Sequence, residues 1–519
     1  MARGNVLYIT VDQWRGDCLS AAGHPLVETP TLDALAARGV RFADHWANTA
    51  PCGPSRTTLH TGMYAQNHRS VLNGTPLDDR FTNVALEARR AGYVPTLFGY
   101  TDTSPDPRGL AADDPRLSTY EGVLPGFEVA LNDPSETAGP LEWCRWLAGR
   151  GVDVPSDPWD LYRPDLSHPG AADHSEWWAP ARFGPDDTET AFMVDRLLEW
   201  FSRREDDEPW FVHASFIRPH PPYRNPVGYH DRYRADDVPG FRGHRRREDE
   251  AASHPLAAAA LDLPGVGAPV DERDRRQLRA TYYGMMAEVD DQLGRLFAAL
   301  DAQGLTDDTL VLLTSDHGDQ MGDHWLIEKL GWWDESYHVP LLVIDPRPEA
   351  DARRGAVVQA PTEHVDVLPT LCDWMGVEAP LQCDGRSLAP FVVGDPGPSG
   401  PEGWRTAVHW EWDFRNPWLH LAETAFSIPM EQCCLTVVRD GRWKYVQPAA
   451  EPSILPPLLF DLEADPDQVA DLARDPDHDG VRADRAAELV RWRMRHDERT
   501  LTGHMVTPEG LVVHRDAHR

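Results

Sequence analysis

The sequence predicts an α/β protein, with a large, mainly parallel or mixed sheet sandwiched between helices and a small C-terminal antiparallel-sheet subdomain. Three observations predict it. Runs such as 5–11 (NVLYITV) and 309–314 (TLVLLT) are β-branched and apolar on both faces, as strands covered on both sides must be. They alternate with segments of helical apolar period, the pattern of crossover connections between parallel strands. Finally, the Pro/Gly-rich stretch 394–400 precedes two strand-like runs, 434–438 and 443–447, around the hairpin signal Asp440-Gly441. The expected division is an α/β domain over 1–395 and an α+β subdomain over 401–519.

In chain order, strand 5–11 carries Asp12 and Gln13 at its carboxyl end, and 30–39 is a helix with Leu32, Leu35 and Ala36 inward. Over 49–62, Pro54 suits a first helical turn, and Leu59 and Met63 recur at helical spacing. Cys52 then stands at a helix N-terminus, whose amides and dipole favour an anion, with Arg56 one turn on. Strand 93–99 delivers Tyr100, Thr101, Asp102 and Thr103. Residues 104–185, rich in Pro, Asp and Trp, read as surface excursions roofing a site. A helix over 187–203 leads to strand 210–217 and to Arg218-Pro-His220-Pro-Pro, and 224–272 reads as solvated loop. The stripe Leu278, Tyr282, Met285, Val289, Leu293, Leu296, Leu300 marks helix 272–303 as packed on the core. Strand 309–314 closes on Ser315-Asp316-His317-Gly318-Asp319, followed by strand 339–344 and helix 362–375. A terminal helix over 488–499 leaves 500–519, too polar to fold alone. Leu501, Met505, Val506, Leu511, Val512 and Val513 nevertheless make that tail more apolar than a free terminus, which suits an arm reaching a second copy.

The 519 residues carry a formal net charge of −34, spread along the chain. This excludes nucleic acid and anionic membranes as partners and means that an anionic substrate must be drawn in by local positive groups. No run reaches the length of a membrane span. Met1-Ala-Arg-Gly leads into no secretory pattern, and seven cysteines without framework spacing argue against a disulfide scaffold, so the expected compartment is the cytoplasm. Of the 50 basic residues only Lys329 and Lys444 are lysines. Where any positive charge suffices this chain uses arginine, so a retained lysine suggests a compact point charge or a deprotonatable amine. Lys444, in Arg-Trp-Lys-Tyr, reads as chance.

Ligands bind at the carboxyl ends of strands in open α/β sheets, so Asp12, Gln13, Tyr100, His220, Asp316 and His317 should converge although they are far apart in sequence. Asp12, Asp316 and His317 form a plausible divalent-cation site. The carboxylates suit a hard ion, and the imidazole shifts preference toward manganese, with calcium as the alternative. His317 is open to a second reading as a packed loop histidine, and Cys52 to one as a buried structural thiol.

Cys52-Gly-Pro-Ser-Arg56 resembles the Cys-x-Pro-Ser-Arg signature of type I sulfatases and phosphonate monoester hydrolases. The likeness extends, in order, through 5–15, Asn67-His-Arg with Asn73, Gly99-Tyr100, Arg218-Pro-His-Pro-Pro, Thr314-Ser-Asp-His-Gly, Thr500-Leu-Thr and Pro508-Glu-Gly-Leu. It covers nearly the whole chain and is similar to the phosphonate monoester hydrolase branch of the alkaline phosphatase superfamily. The resemblance implies an alkaline phosphatase-like fold and a formylglycine made from Cys52 by a formylglycine-generating maturation enzyme. It implies one divalent cation held by Asp12, Asp316, His317 and residue 52, and contacts to a small anionic ester from Gln13, Arg56, Asn73, Tyr100, His220 and Lys329. It further implies a homotetramer. A hydrated aldehyde attacks phosphorus or sulfur with one hydroxyl and uses the other to expel the product by carbon–oxygen cleavage, with His220 as general acid and Lys329 neutralising the equatorial oxygens. The implied activity is hydrolysis of phosphonate monoesters and phosphodiesters, with promiscuous sulfatase activity. The alternatives are an arylsulfatase and a non-catalytic anion-binding relative with Cys52 unmodified. Two departures stand out. Gln13 replaces the second aspartate of classical sulfatases, and Asp102 interrupts a run of hydroxyl residues after Tyr100.

Overall fold

The computed structural model describes residues 4–119, 121–133, 141–204, 208–417, 420–498 and 500–513. The leader reading at 1–3, the end of the predicted terminal helix at 499 and the end of the tail at 514–519 lie outside the described residues.

The larger sheet has eight strands, in the spatial order Ala356–Val358, Val40–Phe42, Leu341–Ile344, Thr309–Ser315, Asn5–Val11, Phe211–Phe216, Pro95–Phe98, Glu128–Leu131. Asn5–Val11 is central and parallel to both Phe211–Phe216 and Thr309–Ser315. Its side chains alternate between two cores, as the two-residue period of a strand requires. Leu7, Ile9 and Val11 face Met285, Val289, Leu293 and Leu296 of the 31-residue helix Glu272–Ala302. Val6 and Tyr8 face Leu59 and Met63 on one segment, and Leu368 and Leu371 of the helix Val367–Met375, on the opposite side. The sheet is therefore mixed and sandwiched. Leu341–Ile344 runs against both its neighbours. The connection 316–340 holds no long helix to return the chain to the starting end, so the next strand re-enters in the opposite direction.

The second sheet has five strands in the order Leu458–Asp461, Trp443–Pro448, Cys434–Arg439, Val408–Asp413, Thr49–Ala50. The hairpin expected at Asp440-Gly441 joins its middle strands. Its outermost strand comes from the first tenth of the chain: Thr49–Ala50 pairs in parallel with Glu411 and Trp412. The stacked indoles of Trp46 and Trp410, 5.5 Å apart, tighten this junction. The smaller sheet thus grips the stem of the helix that begins at Cys52.

Several expectations are corrected. Residues 224–272 are not only loop, since Arg247–Ser253 and Pro255–Leu261 are helices, each too short to show a period. Residues 104–185 contribute an edge strand, Glu128–Leu131, and a helix, Leu141–Gly149, whose Trp143 and Leu147 are fully buried in the core. The terminal helix spans Asp479–Arg495, starting where Ala and Arg supply propensity without an apolar stripe. The tail folds into a hairpin, His504–Thr507 with Gly510–Val513. Lys444 is no accident of composition. It is fully buried, its ammonium donates to Asp334 Oδ1 at 2.8 Å and to Gln468, and it lies 5.2 Å from the Trp410 ring.

Candidate active site

Four strands end at one place. Asp12 follows Asn5–Val11, Tyr100 follows Pro95–Phe98, His220 follows Phe211–Phe216, and Asp316 and His317 follow Thr309–Ser315. Gly99 allows the second of these to come so close. A Cβ there would lie 2.1 Å from the Ser215 carbonyl oxygen, on a backbone at φ +98°, which only glycine accepts without strain. The helix Cys52–Thr61 points its N-terminus at the same place with all ten residues buried, and Gly62 ends it in the left-handed region. Ser55 ties this helix to the sheet: its hydroxyl donates to the Asp316 carbonyl at 2.5 Å and faces His364 Nδ1 at 3.2 Å. Asn73 Oδ1 accepts the Gly53 amide at 2.8 Å, so one of the helix amides expected to be free for an anion is already taken.

Asp12, Cys52, Asp316 and His317, all buried, present one donor atom each within 4.8 Å of one another. His317 Nδ1 donates to the Gly318 carbonyl at 3.0 Å, which leaves Nε2 as the lone-pair nitrogen, 3.1 Å from Cys52 Sγ. Asp12 Oδ1 and Asp316 Oδ2 are buried carboxylate oxygens without a hydrogen-bond partner. Asp316 Oδ1, by contrast, accepts the Gln13 and His317 amides at 3.1 and 2.9 Å. Asp12 Oδ1 has no hydrogen-bond partner and Asp316 Oδ2 has only the misaligned Arg56 Nε; with a lone-pair imidazole nitrogen and a sulfur in the same buried space, the donor set fits a divalent ion.

Arg56 holds the carboxylates apart. Its Nη2 donates to Asp12 Oδ2 and to the Tyr100 hydroxyl, each at 3.0 Å, and its Nη1 donates to Ser215 Oγ at 2.7 Å. Nε lies 2.9 Å from Asp316 Oδ2 and 3.5 Å from Asp102 Oδ2, ion pairs without hydrogen-bond alignment. Tyr100 stacks under the guanidinium and donates to Asp12 Oδ2 at 2.5 Å. Burial alone would raise the Asp12 carboxyl, but His220, Arg56, His317 and Lys329 hold it well below the usual range. Burial and the Asp12 charge push Asp316 up, and burial pushes Asp102 and the Cys52 thiol up. Asp102 faces Arg56, with Oδ2 3.5 Å from Nε.

A second arc surrounds Gln13. Lys329 Nζ donates to Gln13 Oε1 at 2.7 Å and to Glu328 Oε2 at 3.1 Å. Gln13 Nε2 donates to Asp319 Oδ2, which also accepts the Tyr223 hydroxyl at 2.6 Å. Asp319 Oδ1 takes the Met321 and Glu328 amides at 2.8 and 3.0 Å. An ammonium can only donate and a carboxylate only accept, so Gln13 is locked with its carbonyl toward Lys329 and its amide toward Asp319. His220 Nδ1 donates to the Pro221 carbonyl at 2.8 Å, leaving Nε2 as the exchangeable nitrogen, and burial with the Lys329 charge lowers its pKa. Asp12, Cys52, Arg56, Tyr100, Asp316 and His317 are in direct contact, Gln13 touches Asp316, Lys329 joins through Gln13, and Asn73 joins through Gly53. Sequence reasoning missed Asp319, Tyr223, Ser55, Ser215 and His364. Asp319 had a signal, three residues after Asp316 in the same loop, and Ser55 is the serine of the Cys-x-Pro-Ser-Arg signature, whereas nothing in the sequence marks Tyr223, Ser215 or His364.

Residues 4–377 match the Sulfatase family model, and residues 322–495 match that of N-sulphoglucosamine sulphohydrolase, C-terminal. The chain belongs to the sulfatase family and is an ester hydrolase of the alkaline phosphatase superfamily. It is 40% identical over 531 aligned residues to the multifunctional alkaline phosphatase superfamily protein PehA of Trinickia caryophylli, covering 99% of each. Two solved phosphonate monoester hydrolases share its fold. That of Agrobacterium radiobacter superposes with TM-score 0.91 at 44% identity, covering 99% of this chain and 100% of that one. That of Silicibacter pomeroyi superposes with TM-score 0.89 at 37% identity, covering 99% of each. The family implies a metal ion and a formylglycine derived from cysteine, and Cys52 stands in the donor cluster.

Proposed function

We propose that this protein hydrolyses phosphonate monoesters and phosphodiesters, with sulfate esters as secondary substrates, using a formylglycine made from Cys52 and one divalent cation. The observation that carries this is the pairing of the donor cluster with an uncharged Gln13. At the edge where a further carboxylate would extend the metal site, Gln13 instead accepts from the Lys329 ammonium. A single cation plus an ammonium suits a monoanionic diester or phosphonate better than a dianionic phosphate monoester, which two-metal sites clamp.

Asp12, Asp316, His317 and residue 52 would hold the cation, manganese before calcium, which supplies Lewis-acid polarisation, while the formylglycine supplies an oxygen nucleophile at neutral pH. Arg56 fixes Asp12 and Tyr100 and balances the carboxylate charge. Asn73 pins the start of the Cys52 helix. Gln13 orients the Lys329 ammonium toward the non-bridging oxygens, where charge builds during transfer. His220, with its ring protonated, delivers the Nε2 proton to the departing alcohol. The maturation enzyme that converts Cys52 is a required partner. We assign the protein to the cytoplasm, because the six cysteines besides Cys52 are free thiols, five of them buried. No helix among the described residues is long and apolar enough to cross a membrane. We divide the chain into a catalytic domain, residues 1–395, and a C-terminal subdomain, residues 401–519, which supplies four of the five strands of the smaller sheet.

The test joins intact mass with kinetics. The mass of the matured protein should show cysteine replaced by formylglycine. An aryl phosphonate monoester and a diester should each be turned over with higher kcat/KM than the matching aryl sulfate. The reverse order would make the protein an arylsulfatase, and an unmodified Cys52 in active enzyme would reject the nucleophile.

A further inference from the structure

Beside the donor cluster lies a cavity of about 640 Å³. Its lining includes Pro51, Leu72, Glu328 and Lys329; Pro51 and Leu72 precede Cys52 and Asn73 in sequence, and Lys329 is the partner of Gln13. Its walls come from the helix Pro255–Leu261, through Leu256 and Ala259, and from the smaller sheet and the helix after it, through Trp412, Phe414, Leu421 and Phe426. The volume falls in the range of small-molecule sites, on the order of 300–1,000 Å³. The charged side chains on its wall are already paired. Arg415 Nε donates to Asp413 Oδ1 at 2.7 Å, Arg247 reaches Asp262 at 3.2 Å, and Lys329 reaches Glu328 at 3.1 Å. An apolar wall with internally neutralised charges, lined by the residue before Cys52 and by Lys329, is complementary to an uncharged apolar group attached to an anion.

We propose that this cavity binds an aryl-sized apolar substituent of the ester held at residue 52, so that the Trp412–Phe414 strand end and the helices Pro255–Leu261 and Leu421–Phe426 set substrate selectivity. The assignment rests on the ester-hydrolase function above and names the portion of the substrate that the donor cluster does not touch. A phosphonate monoester or a diester carries two organic groups, and the cavity takes one of them, whereas the Arg56–Lys329 side takes the charge. The indole and phenyl faces of Trp412 and Phe414 suit an aromatic ring, which packs edge-to-face or offset on them.

The experiment uses the full-length, matured protein and paired methyl and phenyl esters, varied once at the departing oxygen and once at the retained substituent. Ala259 is half-buried and Ala425 is exposed, both on the cavity wall, so Ala259→Phe and Ala425→Trp fill the cavity from two sides without opening the core. Unaltered protein should favour phenyl over methyl in kcat/KM at one of the two positions. Each variant, melting near the unaltered temperature, should lose that preference by about tenfold or more, the scale of a few methylene equivalents in an apolar pocket. An equal preference in the folded variants, or none in the unaltered protein, overturns the assignment. So does a changed assembly state with the preference intact, which would give the cavity to a second copy of the chain. If no ester is hydrolysed at all, the hydrolase function fails instead, and calorimetric binding of phenylphosphonate against methylphosphonate decides the cavity by the same ratio.

Discussion

At the scale of single residues, the two lysines have opposite fates. Lys329 sits at the mouth of the site with Gln13 and Glu328 as partners. Its ammonium meets charge that grows in the transition state, and a planar guanidinium cannot occupy the same place. Lys329→Arg should therefore lower kcat roughly 10²-fold, the scale of one lost oxyanion donor, with a smaller change in KM. Steady-state kinetics on a phosphonate monoester check this, and an equal loss of kcat/KM carried by a rise in KM alone would return Lys329 to ground-state binding. Lys444, by its sequence context, should tolerate arginine, and its surroundings reverse that expectation. Enclosed by Asp334, Gln468 and Trp410, it leaves no room for the larger head, and Lys444→Arg should cost about 1–3 kcal/mol in a denaturant titration while the rate of the folded fraction holds. Asp319→Asn tests the lock on Gln13. An asparagine nitrogen in the Oδ2 position would repel Gln13 Nε2, turn the amide over and aim a donor at Lys329. On the order of tenfold should be lost in kcat, and Tyr223→Phe, which leaves the carboxylate in place, should cost less. Equal losses would mean that the cluster acts by packing alone.

At the scale of elements, the short strand Thr362–Glu363 joins the two halves. Glu363 accepts the His409 amide at 2.7 Å and the Tyr64 hydroxyl at 2.6 Å, and pairs with Arg405 Nε at 3.1 Å. Burial would raise its carboxyl, but Arg405 and the hydrogen bonds lower it to about 2. A carboxyl with a depressed folded value stabilises fully above its unfolded value, about 4.3, and loses that contribution as pH falls toward 2. Chemical denaturation of the unaltered protein should show stability declining through that window. Glu363→Gln should be less stable at pH 7 and flatter below pH 5, and parallel slopes would remove Glu363 from the acid response. The same element scale explains what was legible. Strands 5–11, 210–217 and 309–314 are written in short runs of largely apolar, aromatic and β-branched residues and fall within a residue or so of their observed limits. The helices at 247–261 are too short to write a period, and their sequence does not set them apart from loop.

At the scale of the molecule, the hairpin His504–Thr507 with Gly510–Val513 has no core of its own. Met505, Val506 and Leu511 are 62, 87 and 62% exposed, which leaves apolar side chains in water unless another surface covers them. We propose that a second copy of the chain covers them, as the homotetramer implied by the sequence resemblance would allow. Removing 500–519 should lower the mass seen in light scattering, and an unchanged tetramer would place the hairpin outside the interface. The net charge of −34 favours separation of copies, so the assembly of truncated and intact chains should diverge most at low salt, where screening is weakest.

By itself, the sequence determined the alternation of strands and helices, the ends at which Asp12, Tyr100, His220, Asp316 and His317 emerge, and the Cys52 helix start, because each is a local pattern. It did not determine that Thr49–Ala50 would leave its neighbours to become the last strand of the smaller sheet, nor that Gln13 would be locked between Lys329 and Asp319. Nor did it show that Lys444 would be buried against Asp334. Those outcomes depend on groups more than a hundred residues apart meeting in a buried space. There an unpartnered charge is costly, and the tertiary fold alone decides which partner each one finds.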